Sequence, residues 1–482
     1  MKKYRNIIVC LIMSLVFIVY IISLSPKKMQ NDTFWSIKVG EKLVNEGVWE
    51  VDDFSIHEGL HYIAHHFITD ILIYFVYSFG GFTALYIMEI LMAIIMAGVL
   101  YLLNKEISGN KLLSTVMLFL QMFIMAGYIA VRAQMISYIL FILELLLLEK
   151  YKKRTKTKYI AGLSIIPILL ANFHMGTVPF YFVILGVYII SLIRIKIPLF
   201  DFTNQTDKYR VKQLLIVAVI GIVTIFINPY FVDGVIYPFK TFGNNFINST
   251  ILEFQSYRIS FDGGWSLLYM TIVILILIFT KQKIKIGDFL LIFGTLFMGF
   301  VAIRYIGLFV ICSTVVIKYI NTILVTNNLK KEDVMAFKCT AIFLVVTLVS
   351  MVFASQISKM PQNYIPEEVY PVKAVEFLKK EITSHDRIFN FYDWGSYLML
   401  NDIKVYMDSR CDLYTKEYSG TDIADDYNKI SQCDKNYREI IDKYNINLFI
   451  IEVNTKLDVL LAENEDFEKI YEDTLTIIYK HI

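Results

Sequence analysis

Residues 83–103 read TALYIMEILMAIIMAGVLYLL, an apolar run broken by a single charged side chain, Glu89. A helix that crosses the hydrocarbon core of a bilayer needs roughly 20 mostly apolar residues, so this run predicts a membrane-spanning helix. The same measure predicts further helices near residues 7–24, 112–128, 134–148, 159–173, 178–193, 213–228, 264–280, 286–302, 305–323 and 335–355. Of the 482 residues, 56% are hydrophobic, against about 45–50% in soluble domains. The sequence therefore predicts a mostly α-helical, polytopic membrane protein with about eleven spans.

The distribution of positive charge predicts the orientation of these helices. Cytoplasmic loops of membrane proteins carry an excess of Lys and Arg. One set of alternate loops is rich in both, most of all between residues 150 and 158, whereas the other short loops hold little beyond Arg132, Lys240, Arg258 and Arg304. We therefore expect a multi-pass protein of the cell membrane with a cytoplasmic N-terminus, residues 7–24 as an uncleaved anchor, and an extracytoplasmic C-terminal domain.

A shorter apolar run, residues 67–79, ends at Gly80-Gly81. About 13 residues are too few to cross a bilayer as a helix. Counting this run as a span would also invert every later loop and place the lysine-rich loops outside. We therefore expect an interfacial or re-entrant helix here.

Two domains follow from these predictions. Residues 1–357 form the membrane domain, with long outer loops at 25–82 and 229–263, and residues 358–482 form a small α/β domain. Hydrophobic periodicity in the second domain predicts helices at 372–381 and 437–443, strands at 387–391, 403–407 and 448–453, and a terminal hairpin at 467–480. Cys411 and Cys433 lie in this domain, either as free thiols or as a disulfide.

The unusual polar side chains all fall on the predicted outer face. They are Asp32, Asp52, Asp53, His57, His61, His65, His66, Arg132, Gln134, Asn172, His174, Asn228, Glu253, Arg258, Asp262 and Arg304. Any one of them has a plain explanation, because ionisable side chains at helix ends often extend to the interface or cap the last turn. Since several helices deliver them to one face, we expect a shared outward-facing cavity.

An ordered set of short motifs accompanies these residues. They are NDTFWSIKVG at 31–40, GVW at 47–49, DDFS at 52–55, HHF at 65–67, RAQMIS at 132–137, ANFHMG at 171–176, NP at 228–229, RYI at 304–306, FNFYDWGSYL at 389–398 and MDSRCDLY at 407–414. With these motifs the chain resembles the GT-C superfamily of polytopic glycosyltransferases, in particular a bacterial branch similar to protein mannosyltransferases and aminoarabinose transferases. The resemblance extends over nearly the whole chain.

The resemblance implies a catalytic acid early in the first outer loop, and Asp32 is the matching position. It also implies a donor sugar linked to a polyprenyl phosphate or pyrophosphate, with transfer outside the membrane. Many relatives carry a second acid directly after the first, but residue 33 here is Thr. Asp52 and Asp53 are the candidates for a second acid, and a divalent metal stays an open question.

The chemistry of such a transfer assigns roles to the other residues. An acceptor hydroxyl must lose a proton to a carboxylate such as Asp32, and charge develops on the departing phosphate. Arginine suits that phosphate through its planar, permanently charged fork. The candidates for binding the donor phosphate are Arg132, Arg304 and Arg258. The candidates for binding or orienting substrate are His65, His66, Gln134, Asn172, His174 and Trp394. Near Trp394, a structural ion pair between Asp408 and Arg410 is an equal alternative to carbohydrate contact.

Three classes of function are therefore in competition. The first is a membrane glycosyltransferase that takes a lipid-linked sugar and an extracytoplasmic glycan, lipid or protein acceptor. The second is a transporter, against which the sequence shows no repeated halves and no charges gathered at mid-membrane. The third is a non-catalytic scaffold of the same fold that binds lipid-linked glycans. The sequence does not support nucleic-acid binding, because it contains no basic stripe with interleaved aromatic residues.

Overall fold

The computed structural model describes residues 15–194, 206–241, 245–258, 264–280, 282–320, 349 and 363–482. The chain divides into two compact units. The first, which we call the helical unit, comprises residues 1–26, 86–231 and 251–360; the second, the mixed unit, comprises residues 27–85, 232–250 and 361–482. The mixed unit thus combines the C-terminal region with segments of both predicted outer loops.

Helices dominate the described residues up to 320. In chain order they are α1 Leu15–Leu24, α2 Asn31–Glu46, α3 Phe67–Ser108, α4 Lys111–Met125, α5 Ala133–Arg154, α6 Thr157–Phe173, α7 Val178–Ser191, α8 Lys208–Thr224, α9 Phe231–Thr241, α10 Asn245–Thr250, α11 Gly264–Phe279, α12 Ile286–Val301 and α13 Ile306–Cys312. The apolar runs predicted between residues 83 and 323 are confirmed as helices, with ends shifted by one or two turns. The helix predicted at 335–355, the first part of 7–24 and the site candidate Asp262 lie outside the described residues.

Length and composition mark out three helices, within the described ranges, that could each cross a membrane. They are Phe67–Ser108, Lys111–Tyr128 and Ile303–Ile320. Five shorter apolar helices accompany them, at Leu15–Leu24, Thr157–Phe173, Met175–Ser191, Gly264–Phe279 and Ile286–Val301. Apolar helices of this kind suit a multi-pass membrane protein, while the number of spans and their orientation stay predictions.

Helix α3 is 42 residues long and departs from helical geometry at Gly80 and Gly81. Gly81 has a φ of +59°, in the region that a residue without Cβ adopts at little cost. The run predicted at 67–79 is therefore confirmed as a helix that ends at the predicted glycine pair, while its interfacial or re-entrant placement stays a prediction. A second apolar helix continues directly beyond the break.

The mixed unit carries a four-stranded sheet in the order β1-β2-β4-β3. Its strands are β1 Ile388–Asn390, β2 Leu448–Glu452, β3 Phe467–Glu472 and β4 Thr476–His481, and its C-terminal helices are α14 Val372–Glu381, α15 Gly395–Leu400, α16 Lys416–Ser419, α17 Ile423–Ser431, α18 Tyr437–Lys443 and α19 Lys456–Ala462. β1 and β2 are parallel, and β4 runs antiparallel to both β2 and β3. The apolar run of β2 is buried, as expected of a central strand. The helices and the other strands predicted here are confirmed.

The strand predicted at 403–407 is wrong. Val405 makes only an isolated bridge to Ser55, and the side chain of Asn390 satisfies the neighbouring backbone. Its Oδ1 accepts hydrogen bonds from the amides of Tyr406 and Met407, and its Nδ2 donates to the Met407 carbonyl. These backbone groups are thus paired without a ladder, which explains why a strand-like sequence forms an irregular segment.

The two cysteines of the C-terminal region, Cys411 and Cys433, are free thiols. The disulfide left open by the sequence is therefore not formed.

Candidate functional site

Asp32 lies in the first turn of α2, in the mixed unit. The partial positive charge at a helix N-terminus stabilises a carboxylate at this position. The indole N–H of Trp35 donates a hydrogen bond to Asp32 Oδ1 over 3.4 Å, and Asp32 is partly exposed while Trp35 is buried. The predicted catalytic acid is thus held on a rigid helix with one side open to solvent.

Both candidate histidines of the first loop belong to this cluster. The ring of His66 stacks on Trp35 with centroids 5.4 Å apart, and the ring of His65 stacks on Tyr237 at 4.3 Å. The Tyr237 hydroxyl lies 3.2 Å from His65 Nε2. Through Trp35, the mixed unit therefore brings Asp32, His65 and His66 together, as the sequence predicts.

A further acid, Asp412, interacts electrostatically with His65. Burial raises the pKa of Asp412, and the charge of His65 together with a hydrogen bond from Tyr237 opposes that rise. Asp412 belongs to the motif MDSRCDLY, whose sequence alone does not reveal that it lies near His65.

Asp70 is an acidic neighbour of Asp32 that the sequence analysis missed. It lies in the first turn of α3 and is fully buried. Two residues of α2 interact with Asp70: Ser36 through a side-chain hydrogen bond and Asp32 through its negative charge. The missed signal was an acidic side chain inside the apolar run 67–79, because such residues in apolar segments mark functional sites by default.

The approach of α2 to α3 depends on Gly40. A Cβ at position 40 would stand 2.0 Å from the Asp70 carbonyl oxygen and 2.8 Å from Tyr74 Cβ. Asp32, Ser36 and Gly40 follow at intervals of four residues and so share one face of α2. That face packs on the start of α3 and fixes Asp32 relative to Asp70.

The two candidates for a second acid are each engaged with a cation. Asp52 is buried, its Oδ1 lies 2.6 Å from Arg410 Nη1, and its Oδ2 accepts a hydrogen bond from the Ser55 amide. Burial favours a higher pKa for Asp52, but Arg410 and Ser55 prevail and hold that pKa below its usual value. Asp53 is exposed and pairs with Lys42. Asp52 therefore occupies a structural ion pair.

The alternative proposed for Asp408 and Arg410 is realised as a buried network. Arg410 Nε donates to Asp408 Oδ1 at 2.9 Å and Nη2 to Oδ2 at 2.7 Å, a two-bond geometry that gives strong, specific pairing. Trp394 is 1% exposed, and its indole N–H donates to the Val369 carbonyl at 2.9 Å. Its ring therefore offers no open face on which a sugar could stack.

His57 belongs to the same buried region, where its ring lies against Tyr406 and Tyr414. Its Nε2 lies 2.8 Å from the Tyr406 carbonyl oxygen. Burial lowers the pKa of His57 to about 4, so the ring is neutral at physiological pH. This histidine links the first loop to the C-terminal region.

In the helical unit, Arg132 and Arg304 contact neighbouring residues of one short turn, Glu253 and Phe254. Arg132 Nη1 lies 2.6 Å from Glu253 Oε1, and the Arg304 guanidinium stacks over the Phe254 ring at 4.2 Å. Burial favours a higher pKa for Glu253, but the charges of Arg132 and Arg304 outweigh it and lower that pKa. The two arginines predicted to bind phosphate thus contact adjacent residues of one turn, and Glu253, which pairs with Arg132, is an anion that the sequence analysis did not assign to the site.

Two further candidates of the helical unit, Gln134 and His174, contact residues of α5. Gln134 donates to the Tyr138 hydroxyl at 2.5 Å, and Tyr138 donates to the Arg304 carbonyl at 3.4 Å. His174 Nδ1 lies 2.8 Å from the Ser137 hydroxyl of α5. Gln134 therefore supports the Arg304 turn, and His174 contacts the helix that carries Gln134.

Two candidates lie away from these contacts. Asn172 donates to the carbonyl oxygens of Ile168 and Ile227, so its amide joins α6 to the end of α8. Arg258 is exposed on the segment that follows Glu253.

The described residues also show whether their side chains are arranged to bind a metal ion. Among them, no group of three or more His, Cys, Asp or Glu side chains is arranged to hold a metal ion. Asp52 and Asp53 already neutralise Arg410 and Lys42. The donor set that the structure describes therefore does not fit a resident metal.

The fold of this chain is shared by solved structures of membrane proteins with the GT-C fold. ArnT from Cupriavidus metallidurans has this fold: its apo structure superposes with a TM-score of 0.61 at 10% identity over 99% of this chain and 98% of that chain. Its structure bound to undecaprenyl phosphate gives a TM-score of 0.59 at 10% identity over 98% of both chains.

The oligosaccharyltransferase of Archaeoglobus fulgidus is a second solved structure with this fold. In the form tethered to an acceptor peptide containing the NVT sequon, it superposes with a TM-score of 0.57 at 11% identity, over 98% of this chain and 74% of that chain. No protein-family model matches the sequence, and no curated protein matches it. At this level of identity the similarity establishes the fold, which confirms the resemblance inferred from the motifs.

Proposed function

We propose that the protein is a membrane glycosyltransferase that transfers a sugar from a polyprenyl-phosphate donor to an extracytoplasmic acceptor. The observation that carries the proposal is Asp32: a partly exposed carboxylate at a helix N-terminus in a GT-C fold, hydrogen-bonded by Trp35, whose ring lies against two histidines. The donor class is supported by undecaprenyl phosphate in the ArnT structure, and an extracytoplasmic acceptor by the peptide bound to the oligosaccharyltransferase.

The proposed reaction is a substitution at the anomeric carbon of the donor sugar. The acceptor oxygen forms a bond to that carbon while the bond from carbon to the phosphate oxygen breaks, and the phosphate leaves with the electron pair. Asp32 takes the proton from the acceptor hydroxyl, a contribution worth typically 10²–10⁴-fold in rate. His65 and His66 orient Asp32 or the acceptor through the aromatic stack with Trp35.

The donor phosphate gains negative charge as the sugar departs. Arg132 and Arg304 neutralise that charge, since preorganised cations aimed at developing charge stabilise a transition state strongly. Gln134 contributes indirectly by holding Tyr138 against the Arg304 turn. The identity of the sugar and that of the acceptor are left to experiment.

Mass spectrometry of surface glycans, glycolipids and glycoproteins tests this function in four strains: wild type, deletion, Asp32→Asn and Glu46→Gln. Glu46→Gln is a matched control, because this substitution removes one carboxylate from the exposed far end of the same helix. Membrane levels of each variant are matched to wild type. We expect one sugar to disappear in the deletion and Asp32→Asn strains and to persist in the Glu46→Gln strain.

The other outcomes discriminate between functions. A sugar lost only in the deletion strain would favour a scaffold that binds lipid-linked glycans without catalysis. No change in any strain would remove the support for a glycosyltransferase.

A further inference from the structure

The short turn Leu252–Phe254 contacts both proposed phosphate-binding arginines with adjacent residues. Glu253 Oε1 meets Arg132 Nη1 at 2.6 Å, and the next residue, Phe254, lies under the Arg304 guanidinium at 4.2 Å. A carboxylate therefore occupies the space beside an arginine pair that is suited to a phosphate.

Two tyrosines hold the backbone that carries Arg304. Tyr128 donates to the Ile303 carbonyl at 2.8 Å, and Tyr138 donates to the Arg304 carbonyl. The side chain of Arg132 is only 11% exposed. The backbone at Ile303 and Arg304 is thus held by Tyr128 and Tyr138, and not by the Glu253 carboxylate.

The turn itself is partly exposed. The Glu253 side chain is 41% exposed and Leu252 is 64% exposed. Ion pairs with an exposed partner contribute only about 0–1 kcal/mol, because solvent screens them and ordering the side chains costs entropy. An incoming phosphate, which can accept two parallel hydrogen bonds from a guanidinium, is well placed to replace a contact of this strength.

We propose that Glu253 is an internal counter-anion that occupies the donor-phosphate position at Arg132 and Arg304 and is displaced when the donor binds. This inference rests on the proposed function and deepens it. It also assigns Glu253 a part in product release: transfer converts a phosphodiester with one negative charge into a phosphate monoester with about −1.5 to −2, which the arginines hold more tightly. Return of Glu253 competes with that product for the same guanidinium groups.

Binding of undecaprenyl phosphate to the full-length protein in nanodiscs tests the inference. Glu253→Gln keeps the size of the side chain and removes its charge, so we expect the Kd to fall roughly two- to fivefold, the ratio equivalent to an exposed ion pair. Arg132→Gln should raise the Kd. Asp233→Asn, which removes an exposed carboxylate from α9, should leave the Kd unchanged.

Hydrogen exchange supplies a second readout that does not depend on affinity. The amides of Phe254 and Gln255 donate to the carbonyls of Ile251 and Leu252 and so report on the turn. We expect their exchange to accelerate when undecaprenyl phosphate binds the wild type. In Glu253→Gln it should be fast before any lipid is added.

The outcomes separate this inference from the proposed function. If the wild type binds the lipid phosphate and Arg132→Gln weakens binding, but Glu253→Gln binds equally or more weakly and the turn exchanges no faster with lipid, Glu253 is not a displaced anion. If neither the wild type nor any folded variant binds undecaprenyl phosphate, the donor class of the proposed function fails, and the role of Glu253 fails with it.

Discussion

Asp52 and Arg410 lie 358 positions apart in the sequence and meet in a buried ion pair, with Arg410 Nη1 2.6 Å from Asp52 Oδ1. Arg410 also binds Asp408 through two hydrogen bonds, so one guanidinium serves two buried carboxylates. Removing one partner of a buried pair leaves an uncompensated charge, which costs about 3–5 kcal/mol. Arg410 therefore neutralises two buried carboxylates at once.

Arg410→Gln should consequently destabilise the protein by about 3–5 kcal/mol, because it strands both Asp52 and Asp408. Asp52→Asn should cost less, about 1–3 kcal/mol, since Arg410 keeps its bonds to Asp408. Thermal unfolding of the detergent-solubilised protein measures both. Turnover of the folded fraction then separates structure from catalysis: an Asp52→Asn protein with normal melting but collapsed kcat would mean that Asp52 is a catalytic acid after all.

Buried His57 predicts a dependence of stability on pH. Burial depresses its folded-state pKa from 6.5 to about 4. The unfolded chain therefore binds the proton more readily, so this contribution is fully present above pH 6.5 and is lost as the pH falls towards 4. A shift of this size corresponds to about 3 kcal/mol at most.

His57→Gln tests that dependence against wild type. We expect the difference in melting temperature between the two proteins to shrink steadily from pH 6.5 to pH 4.5, because the variant has no imidazole to titrate. Melting curves at four pH values in this window provide the measurement. Parallel pH profiles for both proteins would show that His57 is not the responsible group.

A side chain at position 40 should have a steric effect on the position of Asp32. A Cβ at this position would stand 2.0 Å from the backbone oxygen of Asp70, so Gly40→Ala must separate α2 from α3. Overpacking of this kind typically costs about 1–3 kcal/mol, and here it would also move Asp32 relative to Asp70. Activity and melting temperature should fall together.

Gly98 of α3 is the matched control, because a Cβ there meets no atom within 4 Å. Gly98→Ala should be neutral or stabilising by about 0.5–1 kcal/mol, the ordinary gain of Ala over Gly inside a helix. Equal behaviour of the two alanine variants would contradict the close contact at Gly40.

The positions of the helices were predictable because length and apolar content are local properties of the chain. The runs from 83 to 323 and the helices of the C-terminal region needed no knowledge of tertiary structure. The failed strand at 403–407 shows the limit of that approach: its amides bond to the side chain of Asn390, a partner that no local pattern indicates.

The site was predictable in its residue types and less so in its pairings. Asp32, His65 and His66 cluster as expected, and Arg132 lies near Arg304. The partners that decide their roles were not foreseen, because each comes from a distant segment. The pairing of Asp52 with Arg410, the burial of Asp70 and the approach of Glu253 to Arg132 all depend on tertiary packing.

Two of the three candidate phosphate-binding arginines, Arg132 and Arg258, differ in exposure, and this difference yields a last prediction. Arg132 is largely buried and ion-paired, whereas Arg258 is exposed. Phosphate recognition by a guanidinium depends on its planar fork, which lysine cannot reproduce. Arg132→Lys should therefore raise the Kd for undecaprenyl phosphate about tenfold, equivalent to about 1.4 kcal/mol, while Arg258→Lys changes it less than twofold. Both variants keep the net charge, so a loss confined to Arg132→Lys reflects geometry instead of electrostatic attraction alone. Equal losses at the two positions would assign Arg258 to the phosphate as well, and no loss at Arg132 would remove it from the donor site.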